Sequence, residues 1–182
     1  TLSDAVEVQI FDEFDNPVPD AVIDWSVTGG QSKLPNDLTE GYSTTTDAEG
    51  RSTLTWDEFG TTVALHKLRA SIAGTPVDLE ITKQTKAANP HRGQKNNGGL
   101  TASVSTTLSD AVEVQIFDEF DNPVPDAVID WSVTGGQSKL PNDGTEGYTT
   151  TTDSEGRSTL TWDEFGTTVA LHKLRAAIAG TP

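Results

Sequence analysis

The densest set of chemically capable side chains is Asp12, Glu13, Asp15, Asn16 and Asp20, repeated as Asp118, Glu119, Asp121, Asn122 and Asp126. Oxygen-bearing side chains packed this closely could hold Ca²⁺, a hard cation that takes about six to eight oxygen ligands. Their spacing is not that of an EF-hand loop, and the same residues read equally well as solvated turns. Ca²⁺ is therefore the one cofactor the sequence admits, and none is required. Asp57 and Glu58, with Asp163 and Glu164, make a smaller version of the feature. Paired carboxylates can also cleave glycosides, but that chemistry needs one carboxyl with a raised pKa in a cleft. These carboxylates fall in segments that read as exposed turns. The histidines, at 66, 91 and 172, have no zinc spacing. No serine–histidine–acid set stands out, and the absence of cysteine excludes thiolate chemistry and disulfides. The expectation is a chain with no catalytic residues.

Four tryptophans leave two readings open. Trp25, Trp56, Trp131 and Trp162 each sit on the apolar face of an alternating segment. They read as core residues, or as aromatic platforms for sugar if their faces reach solvent.

The net charge is −16, and it is unevenly spread. Residues 1–76 hold thirteen acids against four bases, as do residues 107–182, while 77–106 hold two acids against four bases. Acidic bodies of this kind repel phosphate backbones and anionic membrane surfaces, so no nucleic acid partner is expected. No stretch of about 18 apolar residues is present, so no direct membrane insertion is expected either. The basic middle could grip an acidic partner, or dock onto the acidic faces of its own neighbours.

The elements that must position these residues are legible because the chain repeats itself. Residues 1–76 match 107–182 at all but four positions: Leu38/Gly144, Ser43/Thr149, Ala48/Ser154 and Ser71/Ala177. The period of 106 residues is too long for a solenoid unit of about 20–50 residues, so each copy reads as a domain with its own core. Val6, Val8 and Ile10 alternate with polar residues, as do Ile23, Trp25 and Val27, then Ser52, Leu54 and Trp56, then Leu68, Ala70 and Ile72. Thr44–Thr46 is also β-prone. Val77, Leu79 and Ile81 add a further strand, and Leu100, Ala102 and Val104 another. Val63 and Leu65 are out of phase with Leu68, which predicts a bend or bulge near His66. Short strands separated by turn residues predict an all-β chain of tandem β-sandwiches.

Two motifs carry a resemblance. The run Asp12-Glu-Phe-Asp-Asn16-Pro-Val-Pro-Asp20-Ala-Val-Ile-Asp-Trp25, with Thr46-Asp47-Ala-Glu-Gly50 after it, resembles the bacterial immunoglobulin-like group 1 domains of invasins, intimins and other long surface proteins. Both motifs recur at Asp118–Trp131 and Thr152–Gly156. Where that family carries glycines, this chain has Asp15 and Asp20; at Asp15 the change is tolerated because aspartate also visits left-handed conformations. The resemblance implies tandem immunoglobulin-like sandwiches in a linear array, displayed outside the cell at its surface, with no catalytic residues. It implies a stalk or fibre repeat of a large adhesin-like protein, acting as a spacer and in cell attachment.

On this strand order the first immunoglobulin-like domain spans 1–82 and lacks its first strand. Residues 83–99 read as a linker, and 100–182 as a second domain lacking its last strand. The absence of Met at position 1 predicts a piece of something longer or a processed product. The incomplete ends predict either an excerpt of a longer array or a strand supplied by another chain. Expected partners are neighbouring repeats of the same chain, with further copies of itself or a surface glycan or protein as the alternatives. A self-assembling filament subunit completed by strand exchange, and a carbohydrate- or matrix-binding module, are the competing functions.

Overall fold

A computed structural model describes residues 4–56, 59–96, 111–162 and 169–180. They fall into two units, Thr1–Lys86 and Ala87–Pro182. The described residues contain no helix, and none that could cross a membrane.

The first unit is an antiparallel sandwich. Its strands are β1 (Asp4–Gln9), β2 (Val22–Gly29), β3 (Tyr42–Thr45), β4 (Arg51–Trp56), β5 (Leu65–Ser71) and β6 (Asp78–Gln84). One sheet pairs β1 with β4; the other runs β3-β2-β5-β6. Alternation decides which side chains face inward, because successive residues of a strand point to opposite faces. Val8, Ile10, Ile23, Trp25, Leu54, Trp56, Leu68 and Ala70 meet in one core. Each large side chain among them contributes roughly 1.5–3 kcal/mol by leaving water.

The second unit repeats this plan with a different strand set. Its strands are β7 (Arg92–Lys95), β8 (Val112–Phe117), β9 (Val128–Gly135), β10 (Tyr148–Thr151), β11 (Arg157–Leu160) and β12 (Lys173–Ile178). Its sheets run β11-β8-β7 and β10-β9-β12. Ile116, Ile129, Trp131, Leu140 and Leu160 form its core. The described strands pair as two and four in the first unit and as three and three in the second, with β6 in the first and β7 in the second.

Two sequence expectations change in detail. The bulge lies in β2, where pairing with β5 shifts register between Val27 and Gly29. The β5–β6 ladder runs unbroken from Leu65 to Ser71. His66 takes the inward position that an apolar residue would hold, and Leu65 points outward. The segment 83–99 reads as a linker, yet Lys83 and Gln84 belong to β6 and Arg92–Lys95 form β7. All four β7 residues are exposed, so β7 carries no apolar alternation and is held by its ladder to β8. The expected strand at 100–104, and Asp57, Glu58, Asp163 and Glu164, lie outside the described residues.

Candidate functional site

The acidic motif folds around a single carboxylate. Phe11 and Pro17 form a bridge, and the chain between them turns on Asp12. Asp12 Oδ1 accepts the N–H groups of Phe14 and Asn16, both at 2.9 Å. The Asn16 side-chain amide donates to Oδ2 at 3.1 Å. The Asn16 backbone N–H, the Asn16 side chain and the Phe14 N–H together hold the Asp12 carboxyl below its usual value. Asp15 and Asp20 adopt φ of 65° and 57°, the left-handed region in which short polar side chains are tolerated. Asp121 and Asp126 repeat this at 64° and 57°.

The second motif is built the same way and docks on the first. Asp47 Oδ1 accepts the N–H groups of Glu49 and Arg51 at 3.0 and 2.8 Å. Thr46 Oγ1 accepts the Ala21 N–H and donates to the Val18 carbonyl, both at 2.8 Å. Gly50 adopts φ of 71°, and a Cβ there would stand 2.6 Å from the Ile10 carbonyl oxygen. The two motifs that carry the family resemblance are thus one contact surface, joined by Thr46 and Gly50. Thr152 makes the same pair of bonds to Ala127 and Val124 in the second copy.

In the second copy this turn is covered. The Ala88 N–H donates to Asp118 Oδ2 at 2.9 Å, and Arg92 Nη2 donates to Asp121 Oδ1 at 2.7 Å. The Arg92 guanidinium also lies 4.1 Å from the Phe117 ring centre. Asp118 and Asn122 are buried, whereas Asp12 and Asn16 are exposed. Burial pushes the Asp118 carboxyl up, but the N–H donors of Asn122, Ala88 and Phe120 outweigh it and hold the group below its usual value.

The ten acidic-turn residues do not gather into an oxygen cage. Asp12 pairs with Asn16 and Asp118 with Asn122, while Glu13, Asp15, Asp20, Glu119, Asp121 and Asp126 are exposed. Among the described residues no three acidic or histidine side chains group as a metal site would require. The chemistry this arrangement performs is turn capping, because the carboxylates satisfy backbone N–H groups that no strand would.

All four tryptophans are buried. Trp25 Nε1 donates to Thr44 Oγ1 at 2.7 Å, and Trp131 to Thr150 in the same way. Trp131 and Trp162 also line a cavity of the second unit. His66 is fully buried; its Nδ1 accepts the Gln31 N–H at 3.3 Å, and burial holds its pKa below the usual value.

The feature that sequence reasoning missed is β7, whose Arg92 pairs with Asp121 over the second acidic turn. In the first unit the outer edge of β5 carries β6, with Arg69 paired to Asp78 at 2.7 Å and Lys67 to Glu80 at 3.0 Å. In the second unit Lys173 and Arg175 occupy the same positions, and among the described residues only β9 pairs with β12. A cavity of about 780 Å³ opens beside it, lined by Ile116, Ile129, Trp131, Trp162, His172 and Leu174 among others.

No family model matches the chain, and no curated protein matches it. Solved structures do. The D0–D1 domain of intimin is 16% identical over 98% of this chain and 84% of that one, with a TM-score of 0.37. Invasin, a bacterial integrin-binding protein, is 14% identical over 97% of this chain and 32% of that one, at 0.39. The Escherichia coli adhesin FdeC is 18% identical over 98% of this chain and 56% of that one, at 0.45. At these identities and TM-scores the function of the chain rests on its own residues.

Proposed function

We propose that the chain is a non-catalytic spacer module of an extracellular, surface-displayed, adhesin-like protein, and that it serves attachment by holding a binding part away from the cell. The observation that carries this reading is the near-identity of the copies, 72 of 76 residues, across sandwiches that each close a separate core. Duplicating a sandwich adds reach in proportion to copy number. Duplicating a catalytic centre adds no such property. The acidic turns support the reading, because their carboxylates cap backbone N–H groups. Burial of Trp25 and Trp56 in the first core supports a structural role for these two over a sugar platform.

The test is small-angle X-ray scattering from chains carrying two, four and six copies. A spacer predicts a maximum dimension that grows by a constant step per added copy. A dimension that levels off, with copies collapsing onto one another, would contradict it.

A further inference from the structure

We propose that Asp143 is a site of spontaneous main-chain modification: its side chain and the Gly144 amide close a succinimide that water reopens to isoaspartate, while the equivalent Asp37 is spared. The proposal goes beyond the spacer reading and stands without it.

The two copies hold the same turn with one residue exchanged. In the first, Asp37 has φ of 62°. Its N–H donates to the Leu34 carbonyl at 2.8 Å, and the Leu34 N–H donates to the Leu38 carbonyl at 2.9 Å. In the second, Asp143 also has φ of 62°. The corresponding bonds, Asp143 N–H to Leu140 and Leu140 N–H to Gly144, measure 2.9 and 2.8 Å. The amide after each aspartate donates to an asparagine side chain, Leu38 to Asn36 and Gly144 to Asn142, both at 3.2 Å. Both aspartates are exposed, so water reaches either one. The difference is the residue that follows, Leu38 in one copy and Gly144 in the other.

The turn does not require that glycine. Gly144 lies outside the left-handed region. A Cβ on it would meet Asn142 Oδ1 and the Glu146 carbonyl oxygen at 3.3 Å, and the first copy carries Leu38 in the same setting. What the glycine changes is access to its own nitrogen. Asp143–Gly144 is the one Asp-Gly pair in the sequence. With no Cβ the main chain at Gly144 is freer to move, and its nitrogen can reach the Asp143 Cγ and close a five-membered ring. A C–N bond forms there, and one carboxyl oxygen leaves as water with the amide proton and a proton from solvent. Water then opens the imide. Attack at Cγ restores aspartate. Attack at the main-chain carbonyl breaks the original C–N bond, so that the chain runs through Cγ and the α-carboxylate becomes the side group. One water is lost and one regained, and no oxidant or cofactor takes part.

The new link adds a methylene to the main chain between Leu140 and Gly144, and so disrupts the hydrogen bond that closes the turn. Leu140 is 1% exposed and belongs to the second core. The modified second unit should therefore unfold more readily, while the first keeps its stability.

The experiment incubates the whole 182-residue chain in oxygen-18 water at neutral pH, digests it, and reads isoaspartate and heavy oxygen at residues 37 and 143 by fragmentation mass spectrometry. The proposal predicts that both accumulate at Asp143 at least about tenfold faster than at Asp37, the ratio that a barrier difference of about 1.4 kcal/mol gives. Gly144→Leu should slow Asp143 to the rate of Asp37, and Leu38→Gly should raise Asp37 to the rate of Asp143. Each variant borrows the residue that the other copy already carries in this turn, and circular dichroism checks that both fold. Equal rates at the two aspartates would overturn the proposal, as would a Gly144→Leu chain that still marks Asp143. So would labelling confined to chains unfolded in urea, since the folded turn would then protect the bond.

Discussion

Gly30 lies so close to His66 that a Cβ on residue 30 would stand 2.4 Å from the imidazole Nδ1. Gly136 and His172 repeat the contact at 2.4 Å. The backbone at Gly30 has φ of 82°, which an L side chain also resists. The glycine and the histidine therefore form one unit at the end of the bulged strand, where the Gln31 N–H donates to Nδ1.

Gly30→Ala should accordingly destabilise the first unit by about 2–4 kcal/mol, combining the left-handed penalty with the displaced imidazole. Gly41→Ala makes a contrast, since no atom lies within 4 Å of its added Cβ. It carries the φ penalty of about 1–2 kcal/mol alone. Urea unfolding followed by tryptophan fluorescence would separate the two.

His66 makes the first unit acid-sensitive in a defined direction. Burial lowers its pKa below the ordinary imidazole value of about 6.5, so the unfolded chain binds more protons than the folded one as pH falls past that value. The stability it contributes is complete above about pH 6.5 and is lost as pH drops toward the folded pKa. His66→Gln should flatten the dependence of unfolding free energy on pH between about 7 and 5. An unchanged slope in the variant would show that the titrating group lies elsewhere.

The two acidic turns should respond unequally to the same substitution. Asp118→Ala strands the Asn122 N–H in a buried setting and the Ala88 and Phe120 N–H groups in a partly buried one, and should cost about 2–3 kcal/mol. Asp12→Ala exposes its donors to water and should cost less. Thermal unfolding of the two variants would rank them, and equal losses would contradict the covering role of residues 87–95.

The left-handed aspartates give a further prediction. Asp20→Gly should be close to neutral, whereas Asp20→Val should cost about 2 kcal/mol, because a β-branched residue at φ of 57° is a steric outlier. Chemical denaturation of both variants would check the order.

The sequence shows the strands of the core plainly, because Val8, Ile10, Trp25, Leu54, Trp56 and Leu68 alternate with polar neighbours on strands wet on one face. It shows the left-handed turn at Asp15 too, through an aspartate at a glycine position of the resembled family, but not the one at Asp20. It does not show β7: Arg92-Gly-Gln-Lys95 is exposed on every residue and is recruited by backbone pairing and by Arg92 on Asp121 and Phe117. Nor does it show His66 as a core residue, since an imidazole facing a Cβ-less Gly30 carries no periodic signal.

The central claim is that the chain holds two separately folded sandwiches whose work is mechanical. Pulling single molecules from both ends tests it most directly. The account predicts two separate unfolding events, each releasing roughly 250–300 Å at about 3.5 Å per residue. One cooperative event spanning the whole chain, or extension with no resisted unfolding, would contradict it.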